Sequence, residues 1–168
     1  MPRGKGRGKS ASRGAGGSRH WGRGRGGGGA PIANTPTRQA KLDGHDDTVT
    51  CVDVSLAKSE VFSGSADGTI RIWSWAHQFE CKHVLKVGAP VEALLVSDDW
   101  LFAGTQAVAP RQGLVKAWHM SNGFEQTLEG HQGAVWCLAQ GGKFLFSAGD
   151  DTGVKTWQYG ASGSFEPV

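Results

Sequence analysis

Hydrophobic and polar residues alternate over short runs through most of the chain. Residues 69–73, Thr-Ile-Arg-Ile-Trp, keep a period of two, and Val49, Cys51 and Val54 are separated by polar or mixed neighbours. Such runs predict strands of about four to six residues. Turns that carry Gly, Asp and Ser divide the runs, and Asp67-Gly68 is a tight hairpin signal. Since no run shows the stripe of an amphipathic helix, the pattern predicts an all-β protein.

The strand pattern is repeated along the chain. FSGSADGTIRIW at residues 62–73 recurs 84 positions later as FSAGDDTGVKTW at residues 146–157. Upstream of these, Gly44-His45 recurs 86 positions later as Gly130-His131, a separation of two periods of 43. A more divergent copy lies between them and ends at Trp118, with QAVAPRQ at residues 106–112 lengthening one turn. We therefore predict three repeats, over about 38–80, 81–124 and 125–165.

The repeats resemble the blades of WD-repeat β-propellers, in which Gly-His opens and tryptophan closes a set of four short antiparallel strands. The resemblance covers residues 38 to about 160. It implies a partial propeller of about three four-stranded blades, the middle one degenerate.

The same resemblance implies a hydrogen-bonded tetrad of histidine, serine, aspartate and tryptophan inside a blade. Such a chain is physically reasonable because an aspartate drawn against a sheet needs a donor, and a buried tryptophan needs an acceptor for its N–H. The matching residues are His45, Ser63, Asp67 and Trp73 in the first repeat, and His131, Ser147, Asp151 and Trp157 in the third. In the middle repeat we expect Ala89, Ala103 and Gln112 to replace the polar members, with Trp118 kept for packing.

The middle repeat, with VGAPVEALLVSDDWLFAGTQ and GLVKAWHM, is similar to a narrower plant family that joins CCCH zinc fingers to a WD-repeat propeller. That resemblance implies a nuclear, RNA-linked role. A CCCH finger needs closely spaced ligands, whereas Cys51, Cys81 and Cys137 are 30 and 56 residues apart. We therefore expect no zinc finger, no metal site and no cofactor in this chain.

The charge of the chain divides it near residue 40. Residues 1–40 hold nine Lys and Arg, no Asp or Glu, and twelve glycines, whereas residues 41–168 hold nine basic and fifteen acidic residues. A segment with so few core-forming side chains predicts a disordered tail and linker over residues 1–37. Its arginines and single tryptophan suit contact with RNA or DNA, the alternative being a flexible solubilising tail. The candidate contacts are Arg7, Arg13, Arg19, Trp21, Arg23 and Arg25.

Several classes of protein are disfavoured. The apolar runs are too short to cross a membrane, no secretory h-region is present, and an odd number of cysteines argues against a disulfide framework, which favours an intracellular protein. His45, Ser63 and Asp67 are the residue types of a hydrolase triad. Because the same types recur at similar spacing in another repeat, we expect them to be structural and predict no catalytic residues. Cys51 and Cys137 hold equivalent strand positions and are expected to be buried.

Complete propellers have about four to eight blades, so three blades leave two uncovered flanks. Three explanations are open: further blades belong to a longer protein, two copies pair into a ring, or the chain is a shortened product that folds poorly. The family resemblance favours the first. In each case we expect a non-enzymatic interaction scaffold that binds proteins through its blades. The family resemblance implies that this scaffold is nuclear and associated with RNA. The alternative is an RNA-binding protein that acts through the tail, with the blades as a platform.

Overall fold

A computed structural model describes residues 40–108 and 112–168. These ranges form twelve strands and one turn of 3-10 helix, Trp75–His77. The strands are β1 (Val49–Ser55), β2 (Glu60–Ser65), β3 (Thr69–Ser74), β4 (Glu80–Lys86), β5 (Val91–Ser97), β6 (Trp100–Thr105), β7 (Val115–His119), β8 (Phe124–Leu128), β9 (Val135–Gly141), β10 (Phe144–Gly149), β11 (Lys155–Tyr159) and β12 (Phe165–Pro167).

The strands form three antiparallel sheets of four, taken in chain order. The first sheet is β1 to β4, the second is β5 to β8 and the third is β9 to β12. β1 contacts β5 and β5 contacts β9, so the first strands of the three sheets adjoin one another. This arrangement confirms the prediction of an all-β protein built from four-stranded blades.

The sequence repeats are offset from the sheets by one strand. The repeat over residues 81–124 contains most of β4, the outer strand of the first sheet, followed by β5, β6 and β7. The outer strand of the second sheet, β8, begins at Phe124, the last residue of this repeat. A repeat therefore spans two sheets, which ties neighbouring blades together covalently.

The turn between β2 and β3 follows the expected chemistry. Gly68 has a φ of +77°, a conformation that favours glycine. The N–H of Gly68 donates to the carbonyl of Ser65 over 3.1 Å and closes the turn. The Asp-Gly signal at residues 67–68 thus marks the hairpin that it predicts.

Apolar side chains fill the two spaces between neighbouring sheets. Between the first and second sheets the fully buried residues include Phe62, Ile70 and Val91. Between the second and third sheets Phe102 and Leu145 are likewise fully buried. The burial of aliphatic and aromatic side chains between sheets is the main stabilising contribution.

Hydrogen bonds also connect the sheets. The Asp53 carboxylate on β1 accepts from the backbone N–H of Val96 on β5 over 2.7 Å. The Gln126 side chain on β8 donates to the carbonyl of Phe165 and accepts from its N–H, both over 2.8 Å. The amide of Gln126 thus pairs with both backbone groups of Phe165 on the edge strand β12, as a residue of a neighbouring strand would.

None of the helices in residues 40–108 and 112–168 is both long and apolar enough to cross a membrane.

Candidate functional site

The four residues expected to form a tetrad in the first repeat lie together. The indole N–H of Trp73 donates to Ser63 Oγ over 2.9 Å, and Ser63 Oγ lies 2.8 Å from His45 Nε2. His45 Nδ1 lies 2.9 Å from Asp67 Oδ2. Because a carboxylate only accepts, the network places the proton of His45 on Nδ1, and the Ser63 hydroxyl then donates to Nε2.

Thr69 is a further member of this network that the sequence pattern did not single out. Its hydroxyl donates to Asp67 Oδ1 over 2.6 Å, and its backbone N–H donates to the same oxygen over 2.8 Å. Burial alone would raise the pKa of the Asp67 carboxyl, but hydrogen bonds from Thr69, His45 and the N–H of Asp46 outweigh burial and hold that pKa far below its usual range. The available signal was the Asp-Gly-Thr turn, since an aspartate often accepts from the residue two positions later.

The third sheet contains the corresponding network. Trp157 donates its indole N–H to Ser147 Oγ over 2.9 Å, and Ser147 Oγ lies 2.7 Å from His131 Nε2. His131 Nδ1 lies 3.0 Å from Asp151 Oδ2 but without the geometry of a hydrogen bond. The Asp151 carboxylate also accepts from the backbone N–H of Gln132 over 2.8 Å.

In the third sheet a lysine contacts the turn aspartate, whereas in the first sheet a threonine donates hydrogen bonds to it. Gly153 lies at the position of Thr69, so it offers no hydroxyl, and the Lys155 ammonium instead lies 3.2 Å from Asp151 Oδ2. Burial lowers the pKa of His131, and the positive charge of Lys155 lowers it further, whereas Asp151 opposes both. Burial alone would raise the pKa of Asp151, but the Gln132 N–H, Lys155 and His131 bring it below its usual range.

Among the residues that the structure describes, the middle sheet forms no such network. Ala103 pairs with Lys116 across β6 and β7, the register that Ser63 and Ser147 have in their own sheets. Trp118 is half-buried and packs against the core between the first two sheets. Gln112 is exposed.

The loop before β5 carries no histidine. Thr48 and Ala134, each three residues after a tetrad histidine, accept a backbone hydrogen bond just before their first strand. Pro90 does so in the second sheet, and three residues before it lies Val87. Counted back from this hydrogen bond, Val87 stands at the histidine position, whereas the sequence pattern assigns Ala89, and that assignment stays a prediction. Val87 packs against the apolar core, so the position is filled by an apolar side chain.

The serine, histidine and aspartate side chains of both networks are almost fully buried. Ser63 is 7%, Ser147 1% and His131 0% exposed. Ser63 and Ser147 each accept from a tryptophan and bond to a histidine, so their oxygens are engaged within the blade. This geometry suits structural support rather than attack on a substrate.

The two outer flanks of the sheet array expose apolar side chains. Phe62 and Phe102 are fully buried by the next sheet, but Phe146, at the same position in the third sheet, is 36% exposed. Cys137 is exposed although Cys51 is half-buried, which corrects the expectation that both are buried. The cause is that no fourth sheet packs on this side of the third among the residues described.

At the other flank, Val52 on β1 is 64% exposed. Leu94 and Leu138 hold its position on β5 and β9, and each packs against the sheet that precedes its own. Val52 therefore has the side-chain type of an interface residue, although no sheet formed by residues 40–108 or 112–168 packs against it.

The candidate nucleic-acid contacts Arg7, Arg13, Arg19, Trp21, Arg23 and Arg25 lie outside the described residues. Within 40–108 and 112–168, no three His, Cys, Asp or Glu side chains are grouped as a metal ion would need.

Comparisons with known proteins agree with this geometry. The family model described as WD domain, G-beta repeat matches residues 36–74 and 122–158. "Zinc finger CCCH domain-containing protein 17" of Oryza sativa subsp. japonica is 30% identical over 82% of this chain and 30% of its own length. "Zinc finger CCCH domain-containing protein 63" of Arabidopsis thaliana is 33% identical over 76% of this chain and 27% of its own.

Among solved structures, the WD40 repeats of RRP9 superpose with a TM-score of 0.62 at 27% identity, over 76% of this chain and 40% of that one. The chain spans less than a third of the length of the two plant relatives, at 30% and 27%. The matches therefore concern the blades and leave most of each relative unmatched.

Proposed function

Because the chain belongs to the WD40-repeat family, we propose that it is a non-enzymatic scaffold that binds other proteins through the surface of its blades. The observation that carries this proposal is that the side chains of both Ser-His-Asp groups are almost fully buried while other, apolar side chains are exposed on the surface. In this proposal the tetrads hold the blades in shape, and the exposed surface makes the contacts. The scaffold acts inside the cell.

We propose that further propeller blades pack against the two exposed flanks. The core between the first two sheets joins buried residues such as Phe62 to Leu94 of the following sheet. Phe146 on one flank and Val52 on the other are the corresponding halves of such an interface. A second copy of the chain or further blades of a longer protein would supply the missing halves.

The scaffold proposal is tested with protein partners obtained by proximity labelling in cells and then purified. Each partner is titrated against the whole chain and against a chain that lacks residues 1–30. We expect the affinity of at least one partner to be the same for both chains, since the blades make the contact. Loss of every partner on deletion would overturn the proposal.

A second function is favoured by the composition of the tail. Nine Lys and Arg and no Asp or Glu fall in residues 1–40, and cationic guanidinium groups pair with phosphate and stack on bases. In this alternative the chain is a nuclear RNA-binding protein that acts through its tail. Affinity for a single-stranded uridine oligomer should then fall steeply with salt and vanish when residues 1–30 are deleted. Salt-independent affinity, or affinity that survives deletion, would contradict it.

A further inference from the structure

A cleft of about 450 Å³ opens between the first and second sheets. None of the residues that line it belongs to β1 or β5, the adjoining strands, so it lies toward the outer part of the interface. The apolar part of its wall consists of Ile72, Leu85, Leu101, Trp118 and Met120. Its volume is within the range of about 300–1,000 Å³ that is common for ligand sites.

Aromatic rings fill the corresponding place between the second and third sheets. Trp100 lies 5.2 Å from Phe165 and 5.6 Å from Tyr159, measured between ring centroids. Phe165 lies 5.2 Å from Tyr159. The three rings form mutual edge-on and tilted contacts, the geometries that aromatic side chains prefer.

The strand registers show which residues replace these rings in the first interface. Glu60 pairs across β2 and β3 as Trp100 pairs across β6 and β7. Met120 lies two residues after the sheet tryptophan, as Tyr159 does. Gly123 lies two residues before Glu125, the strand partner of Trp118. Phe165 likewise lies two residues before Pro167, the strand partner of Trp157. Three ring positions thus hold Glu60, Met120 and Gly123, and the cleft is the space that the rings would fill.

Glu60 also brings a hydrogen-bond acceptor to the cleft wall. Its side chain is 11% exposed, and its Oε1 accepts from the Lys82 ammonium. A carboxylate has about four acceptor sites, so the Glu60 carboxylate can accept a further hydrogen bond beside the one from Lys82. A mostly buried carboxylate oxygen is complementary to a neutral N–H donor on an apolar group.

We propose that this cleft binds the tryptophan side chain of a partner protein. The indole ring takes the place that Trp100 and its aromatic neighbours fill in the adjacent interface, and its N–H donates to the Glu60 carboxylate. The cleft continues the interface between the first two sheets, so the bound ring extends an existing apolar core. The inference rests on the proposed scaffold function and names the side chain that one of its surfaces takes.

The test uses N-acetyl-L-tryptophanamide as the probe for the whole chain labelled with 15N and with 13C at its methionine methyl groups. We expect saturable shifts of the Met120 methyl and the Trp118 indole N–H. N-acetyl-L-leucinamide, which lacks the ring, should bind about tenfold more weakly, and the 1-methyl derivative of the probe, which lacks the indole N–H, should also bind more weakly. Equal affinity for the leucine amide, or no saturable shift at these two residues, would overturn the proposal.

Glu60→Trp supplies the missing ring from within and should abolish probe binding. Phe144→Trp is the matched control, because Phe144 has the Glu60 position in the third sheet, away from the cleft, and should leave binding unchanged. If Glu60→Trp does not fold, Met120→Tyr fills the cleft from the opposite wall and must weaken the binding. Retained affinity in the folded filling variant refutes the site. If the probe fails to bind while purified partners still bind the blades, the cleft proposal falls and the scaffold proposal stands.

Discussion

Trp157 and Ser147 join β11 to β10 through a hydrogen bond of 2.9 Å from the indole N–H to the hydroxyl oxygen. Both residues are almost fully buried. By accepting from the tryptophan, the serine hydroxyl is oriented to donate its own proton to His131, whose Nε2 lies 2.7 Å away. One hydroxyl therefore satisfies two buried nitrogens, and its removal affects both.

Ser147→Ala should destabilise the chain by about 1–3 kcal/mol, because it leaves the Trp157 N–H and His131 Nε2 without their shared partner. The free energy of unfolding is measured by urea titration with circular dichroism. A change within about 0.5 kcal/mol of zero, as for ordinary surface substitutions, would show that the network contributes little.

Ala103→Ser is the matched control for that variant. It places a hydroxyl at the same register in the second sheet, where the preceding loop has no histidine. With no histidine to receive its proton, this hydroxyl should not stabilise the chain. Stabilisation of the second sheet by the serine alone would contradict the view that histidine and serine act together.

Gly104→Ala should be more destabilising than Gly64→Ala. A Cβ at Gly104 would lie 2.7 Å from the backbone oxygen of Val135, which cannot move without shifting β9. A Cβ at Gly64 would lie 2.6 Å from side-chain atoms of Cys51 and Val91, which can rotate away. We expect about 1–3 kcal/mol for the former, the usual cost of overpacking, measured by thermal and urea unfolding.

Gly153→Ala serves as the comparison for these two glycines. No atom lies within 4 Å of a Cβ built at Gly153, and it is not among the residues of positive φ. Its substitution should leave the stability nearly unchanged. An equal loss in all three variants would mean that glycine flexibility, rather than close approach of the sheets, controls the result.

The repeated residues explain why so much of the fold is predictable. Period-two runs and the Asp67-Gly68 turn are local signals, and the recurrence of Gly-His and Trp identifies equivalent strands in distant parts of the chain. The contact between His45 and Ser63 follows from the resemblance of the repeat to WD-repeat blades, because both residues belong to the same repeat. These features depend on the pattern within one repeat.

Other features depend on neighbours that differ between repeats. The turn sequence Gly68-Thr69 becomes Thr152-Gly153 in the third repeat, so no hydroxyl lies at the position of Thr69. The Lys155 ammonium contacts the turn aspartate instead. The cleft beside Glu60 becomes visible only when the register of Glu60 is compared with that of Trp100. The exposure of Cys137 follows only once the described strands are seen to form three sheets, with none packed beyond the third. Sequence periodicity does not contain such differences between interfaces.

Val154→Lys should reduce self-association if a second copy covers the flank of the third sheet. Val154 is 64% exposed there, and its counterparts Ile70 and Val115 are fully buried between sheets. A lysine would carry its charge into a desolvated contact, which is unfavourable without a partner. Light scattering after size exclusion should show a two-chain mass for the natural sequence and a one-chain mass for the variant.

Leu56→Lys is the control for association. Leu56 is 81% exposed and lies in the turn after β1. It should leave the two-chain mass unchanged. A one-chain mass for the natural sequence would exclude a second copy as the occupant and direct the search to further blades.

The stability of the chain should fall as pH decreases from about 7 to 5, and His131 should account for part of that fall. Burial keeps the pKa of His131 below its usual range, so the folded chain holds this ring neutral where the unfolded chain, with a pKa of about 6.5, takes up a proton. The unfolded state then binds more protons, and stability is lost as pH falls below the unfolded pKa. Asp67 and Asp151, whose pKa values are also lowered, add a separate loss as pH falls below about 4.

His131→Gln tests this assignment, since glutamine does not titrate. The variant should be less stable at pH 7 yet show a smaller loss between pH 7 and 5 in urea titrations. Gly104→Ala, destabilised by a different cause, retains His131 and should keep the full loss. If His131→Gln and Gly104→Ala show the same slope as the natural sequence, proton uptake by another group controls the acid sensitivity, and His131 is not buried as a neutral ring against Ser147.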